Sequence, residues 1–183
     1  WQNGFELLTE LVLEERKTDP QCAPELELRE EATDYRFDIE GWLEDCLDEM
    51  DMREDHAALL RMCDDLLGLF SWSEYTGSDL KFRKVGALNA LGKVQKATEF
   101  CDKWIEKEPE NIVAATAGVY VYTKNSEQNK ARELIEKFIP DGMICCDDND
   151  IMFTAASRFY EKIGDTKKHK QMEEALEAYD QKL

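Results

Sequence analysis

The chain has 183 residues, 41 Asp and Glu against 23 Lys and Arg, and a formal net charge of -18. Its four Trp, six Tyr and eight Phe fall in spaced apolar patterns, which excludes a disordered polar tract. The surplus of carboxylates excludes a nucleic-acid contact surface, which needs clustered Lys and Arg.

Opening on Trp1 rather than Met, the chain reads as a segment of a longer protein. No basic stretch followed by an apolar run marks a signal peptide. The longest apolar run, 112–122, falls short of the ~20 residues a bilayer span takes. Apolar spacing is helical nearly everywhere, with no sustained alternation of period two. A first helix is expected near Asn3–Arg16. Tyr35, Ile39, Trp42, Leu43, Cys46, Leu47 and Met50 then form one stripe at i, i+3, i+4 steps, and Leu59, Met62, Cys63, Leu66, Leu67 and Phe70 a second. Val85, Leu88 and Leu91 give a third, followed across Gly92 by Ala97, Phe100, Cys101, Trp104 and Ile105. Val119 and Tyr122 mark the next helix, and Leu134, Ile135, Phe138 and Ile139 the one after it. Last come Phe153, Ala156, Tyr160 and Ile163, then Met172, Leu176 and Tyr179 beyond Gly164. Pro109 and Pro140 stand where helices can no longer continue, and Ser78, Asn111 and Asp150 are placed to cap the helices that follow. The breaks at 71–77 and 140–149 are longer and polar. About nine helices and no strands are expected, an all-α chain.

Charge is uneven. Residues 1–70 carry 21 acidic and 6 basic residues, the rest 20 and 17. The bias reads as a solvated helix face, and it would repel nucleic acid or attract a basic partner.

Six cysteines stand at 22, 46, 63, 101, 145 and 146, none in C-x-x-C spacing, and the two histidines, His56 and His169, are far apart. No zinc site fits that pattern. Cys46, Cys63 and Cys101 lie on apolar helix faces, as inert thiols of a reduced, cytoplasmic protein do. Vicinal Cys145 and Cys146 sit among Asp147, Asp148 and Asp150, which raise a thiol pKa and argue for a plain loop. Asp147–Asp150 lacks the central Gly and distal Glu of a calcium loop and reads as an acidic helix start. Asp51–His56 reads as an exposed turn, and the acid pairs Glu44/Asp48 and Asp45/Glu49 as solvent-facing. Trp42, Trp72 and Trp104 are in phase with core packing. Phosphate-loop, dinucleotide, zinc-protease and hydrolase motifs are all missing, so neither an enzyme nor a cofactor or metal is expected.

A recurrent unit emerges when the turns are aligned. Glu54, Gly92, Ser126 and Gly164 take equivalent positions, separated by 38, 34 and 38 residues. Five residues on lie Leu59, Ala97, Ala131 and His169; eight on, Met62, Phe100, Leu134 and Met172; twelve on, Leu66, Trp104, Phe138 and Leu176. Two antiparallel helices cannot bury both their stripes alone, so such pairs must stack. In the last unit Glu173 and Glu177 replace Cys101 and Ile105, a polar outer face suited to a terminal cap.

On these residues the chain resembles the tetratricopeptide repeat family, most closely over Ser78–Asn111 with Gly92, Ala97 and Pro109, and next through Tyr122 and Ala131. Lys81, Lys84 and Val85 occupy the family's early Trp and Leu-Gly positions, so an irregular stack is expected. The resemblance implies a single helical-repeat domain, an α-α superhelix or solenoid of about four hairpins. It runs as an N-terminal extension over 1–40, then hairpins at 41–77, 78–109, 110–149 with a long loop, and 150–183. It also implies a non-catalytic scaffold for a protein or peptide partner, with a groove at Phe82, Asn89, Tyr120, Thr123, Lys124, Thr154, Arg158 and Lys162. There Asn89, Lys124 and Arg158 would receive a peptide carboxylate. The alternative it implies is a regulatory domain of a larger bacterial-type protein, whose DNA- or metal-binding segment lies outside this chain. No nucleic-acid or membrane partner is expected for this domain itself.

Overall fold

The computed structural model describes residues 1–72 and 77–181. Among the described residues there are ten helices and no strand. They are α1 (Gln2–Thr18), α2 (Glu27–Glu31), α3 (Ile39–Met52), α4 (His56–Leu69) and α5 (Ser78–Ala90), then α6 (Val94–Lys107), α7 (Ile112–Lys124), α8 (Gln128–Phe138), α9 (Asp150–Ile163) and α10 (Thr166–Asp180). Nine match the expected stripes. The tenth, α2, is a single five-residue turn too short to show a period. Part of the expected polar break at 71–77 lies outside the described residues. No described helix is long and apolar enough to cross a membrane.

Packing divides the chain into two compact units, Trp1–Leu91 and Gly92–Leu183. In the first, α4 packs on α3, α5 and α1, and α2 on α3. Phe5 and Val12 of α1 meet Leu43, Leu47 and Met50 of α3 and Leu59, Met62 and Leu66 of α4 in one buried core. Arg16 ties down the chain after α1. It donates to the carbonyls of Leu69, Ala23 (2.9 Å) and Cys22 (3.3 Å), with its guanidinium 5.5 Å from the Phe70 ring centroid. Tyr35, expected in the α3 stripe, stands outside it, because Asp38 caps α3 by accepting from the Gly41 N–H at 2.9 Å.

In the second unit α7 is central, packed on α6, α8 and α9, while α10 lies against α9. The residue choice explains this. From Ala114 to Val119 every α7 side chain is buried, and five of those six residues are Ala, Gly or Thr. A helix apolar on all sides belongs inside, and small side chains let its neighbours approach closely. By contrast α10 buries no residue fully; Glu177 is exposed, as a polar outer face requires, whereas Glu173 turns its carboxylate back to Ser157 of α9.

The four aligned turn positions share one backbone state: φ is 55° at Glu54, 71° at Gly92, 63° at Ser126 and 78° at Gly164. A left-handed residue ends each preceding helix. At three of the turns the next residue's N–H reaches back five positions, Asp55 to Met50, Glu127 to Tyr122 and Asp165 to Tyr160 (2.8–2.9 Å). Asp55 and Asp165 then cap the following helix, accepting from Ala58 and Lys168 at 3.1 Å. Two expected caps shift by one residue. Gly77, at φ 69°, rather than Ser78 precedes α5, and Asn149 rather than Asp150 precedes α9. The Asn149 side chain instead accepts from the Cys146 N–H and donates to the Ile144 carbonyl, folding the loop before α9. Asp150 sits in the first turn, where its charge suits the helix dipole.

Candidate functional site

Of the eight groove positions implied by the resemblance, Phe82 and Asn89 lie half-buried on α5 in the first unit. The other six belong to the second unit: Tyr120, Thr123 and Lys124 on α7, and Thr154, Arg158 and Lys162 on α9. Because α7 and α9 pack side by side, residues at matching phase meet. The Arg158 guanidinium stands 5.8 Å from the Tyr120 ring centroid. One turn along, the Lys162 ammonium donates to the Thr123 carbonyl at 2.9 Å. Lys124, Arg158 and Lys162 are exposed, whereas Tyr120, Thr123 and Thr154 are half-buried. Burial pushes the Tyr120 hydroxyl pKa up, with Arg158 pulling the other way. No described carboxylate pairs with Arg158. The result is a cationic strip backed by an aromatic ring.

Two polar networks brace the helices behind this strip. The Tyr122 hydroxyl donates to Asp102 at 2.6 Å while Lys130 lies 4.9 Å from the Tyr122 ring centroid. Burial first, then the Asp102 hydrogen bond, drives the Tyr122 hydroxyl pKa far above its ordinary value. At the α6–α7 junction, buried Glu108 accepts from the Trp104 indole at 3.0 Å and from the Asn111 amide at 2.7 Å. Asn111 in turn caps α7 through the Val113 and Ala114 N–H groups.

A third network, not foreseen from the sequence, joins α9 to α10. Buried Ser157 donates its hydroxyl proton to Glu173. His169 Nδ1 lies 2.9 Å from that hydroxyl and 3.2 Å from the Ser157 carbonyl, two acceptors that place the proton on Nδ1. A serine relay sets the imidazole between serine and acid. Here the carboxylate and the imidazole both touch the hydroxyl, so the trio is a polar clamp and no relay forms. The i, i+4 spacing of His169 and Glu173 was the available signal, hidden because their partner sits on another helix.

The acidic positions singled out earlier lie in structural settings. Asp48 pairs with Arg83 and Glu49 with Arg53, each at 2.6 Å, and Asp147 accepts from the Tyr179 hydroxyl at 2.7 Å. Asp51 to Glu54 are exposed. Among the described residues no group of three or more His, Cys, Asp or Glu is placed to hold a metal ion.

Cys46, Cys63, Cys101 and Cys145 are buried, and Cys146 is exposed. Burial pushes the Cys63 and Cys101 thiols up to about 12. It also raises Cys145, with Asp150 as the next cause. With the thiolate as the reactive form, a maleimide at pH 8 should label Cys146 first and reach Cys63 and Cys101 only on unfolding. Peptide mass mapping checks this, and equal labelling rates for Cys63 and Cys146 in the folded protein would contradict it.

No protein-family model matches this sequence, and comparison with curated proteins and with solved structures gave no match.

Proposed function

We propose that the chain is a non-catalytic scaffold that captures an acidic peptide segment along the α7–α9 strip. The observation that carries this reading is the Tyr120–Arg158 stack beside Lys162 and Lys124, a patch of cations on a chain of net charge -18. A carboxylate arriving there meets the forked donors of Arg158, which recognise it bidentately, while Lys124 adds a point charge. Stacking on Tyr120 limits the freedom of the guanidinium before binding, so less entropy is lost on capture. The Lys162–Thr123 bond fixes one end of the strip in the same way. Thr154 supplies a hydroxyl one turn before Arg158.

Peptides with acidic C-terminal segments, titrated by calorimetry, test the reading. Arg158→Ala should weaken binding by roughly tenfold or more, as expected for a charge-assisted contact worth ~1.5–3 kcal/mol. Lys124→Ala should weaken it less and reduce the salt dependence, because exposed charges are screened. Arg158→Lys separates fork geometry from charge and should fall between wild type and Ala. Unchanged affinity in both Ala variants rejects the strip as the binding face.

A further inference from the structure

The first unit holds a cleft of about 190 Å³ between the start of α2, α3, the end of α4 and α5. Its wall and floor are apolar: Leu43, Leu47, Leu66 and Leu80 are buried and Trp72 is half-buried. The Trp72 indole donates to the Leu66 carbonyl at 3.1 Å, which fixes the ring as one wall. Its mouth is acidic. Glu40 and Glu44 stand one turn apart on α3 with exposed carboxylates, and Asp79 lies opposite on α5. Arg83 is already committed, holding Asp79 through Nε and Asp48 through Nη1, each at 2.6 Å. No described cation reaches Glu40 or Glu44.

Uncompensated like charge is therefore concentrated at the mouth of an apolar hole. The Glu40 carboxyl registers it: its pKa is raised, first by burial and then by the charges of Glu30, Glu27, Glu44 and Asp38. An arriving cation relieves that repulsion. The cleft is smaller than the roughly 300–1,000 Å³ of small-molecule sites, which leaves room for a single bulky side chain. Residues 1–70, with 21 acids to 6 bases, extend the same sign of potential around it and steer a cationic partner in.

We propose that this cleft docks a basic peptide, seating one bulky apolar side chain between Trp72 and the leucines and setting flanking Lys or Arg residues against Glu40 and Glu44. The cleft belongs to the first unit and the α7–α9 strip to the second, and the two take partner segments of opposite charge.

Fluorescence anisotropy with a labelled amphipathic Leu/Arg peptide tests this, beside a peptide in which Ser replaces every Leu. The Leu/Arg peptide should bind and the Ser peptide should bind at least tenfold more weakly. The double variant Glu40→Gln/Glu44→Gln should raise Kd about tenfold, with circular dichroism showing helix content and melting temperature at or above those of wild type. Removing two carboxylates away from the cleft, Glu10→Gln/Asp45→Asn, should leave Kd within twofold, as should Lys124→Ala/Arg158→Ala. Failure of the Leu/Arg peptide to bind, equal binding of the Ser peptide, or an equal loss in the Glu10/Asp45 variant would each overturn the proposal. So would a Glu40/Glu44 variant that binds as wild type does.

Discussion

Replacing Asn111 by Ala should lower the stability of the second unit by about 3 kcal/mol and its melting temperature by roughly 12–20 °C. Two losses combine. The Asn111 carbonyl oxygen caps α7, accepting from the N–H groups of Val113 (2.9 Å) and Ala114 (3.3 Å). Deleting such a cap costs ~1 kcal/mol. The same side chain's amide donates to Glu108 at 2.7 Å, and Glu108 is only 4% exposed. A buried carboxylate that loses a donor is penalised by a further ~1–3 kcal/mol. Asn111→Asp separates the two terms. It keeps an acceptor at the helix start, where negative charge is favoured, but it sets a second carboxylate against Glu108. If the Glu108 network dominates, the Asp variant melts below the Ala variant at pH 7; if capping dominates, it melts near wild type. Thermal melts followed by circular dichroism decide, and an Ala variant within about 2 °C of wild type contradicts the assignment.

The helical stripes were legible because each buries one face against a neighbour, and burial on one face imposes a period. The turns were legible for a different reason. Near-regular spacing of 38, 34 and 38 residues set Glu54 and Ser126 in register with Gly92 and Gly164, and all four adopt positive φ although two are not glycine. Local stops read less well. Gly77 and Ser78 are both good helix-start residues, as are Asn149 and Asp150, so composition alone cannot choose between them. Tyr35 continues the α3 period but falls before the cap at Asp38, and a cap outweighs periodicity. The boundary after Leu91 carries no marker, since Gly92 has the same turn conformation as Gly164.

For the site, the Tyr120–Arg158 and Thr123–Lys162 contacts follow from helix phase, once α7 and α9 are neighbours. The Ser157 clamp and the Trp72 cleft depend on relative positions of helices that no single stripe encodes. The acidic bias over 1–70 was visible, but not that Glu40 and Glu44 face a hole lined by leucines.

Close packing around Gly118 should make Gly118→Val cost about 3 kcal/mol, while Gly118→Ala stays within about 1 kcal/mol of wild type. A Cβ at Gly118 would lie 2.8 Å from Ile105 Cδ1 of α6 and 2.9 Å from Leu134 Cδ1 of α8, with Tyr122 Cε2 at 3.3 Å. Both nearest atoms are the free ends of flexible side chains, so one methyl is accommodated by small rotations. Ala also gains ~1 kcal/mol over Gly as a helix former, which offsets the crowding. Valine is different. Its two methyls are confined to one χ1 well in a helix and drive toward both neighbours at once. Overpacking of this kind costs ~1–3 kcal/mol where side chains can adjust. Here the adjustment also displaces Tyr122, whose hydroxyl holds Asp102 at 2.6 Å, and that strained bond brings the loss to the upper end. Melting temperatures of the three proteins provide the comparison: Val should fall at least about 8 °C below Ala. A Val variant as stable as Ala would mean that α6 and α8 do not converge on α7 at this residue.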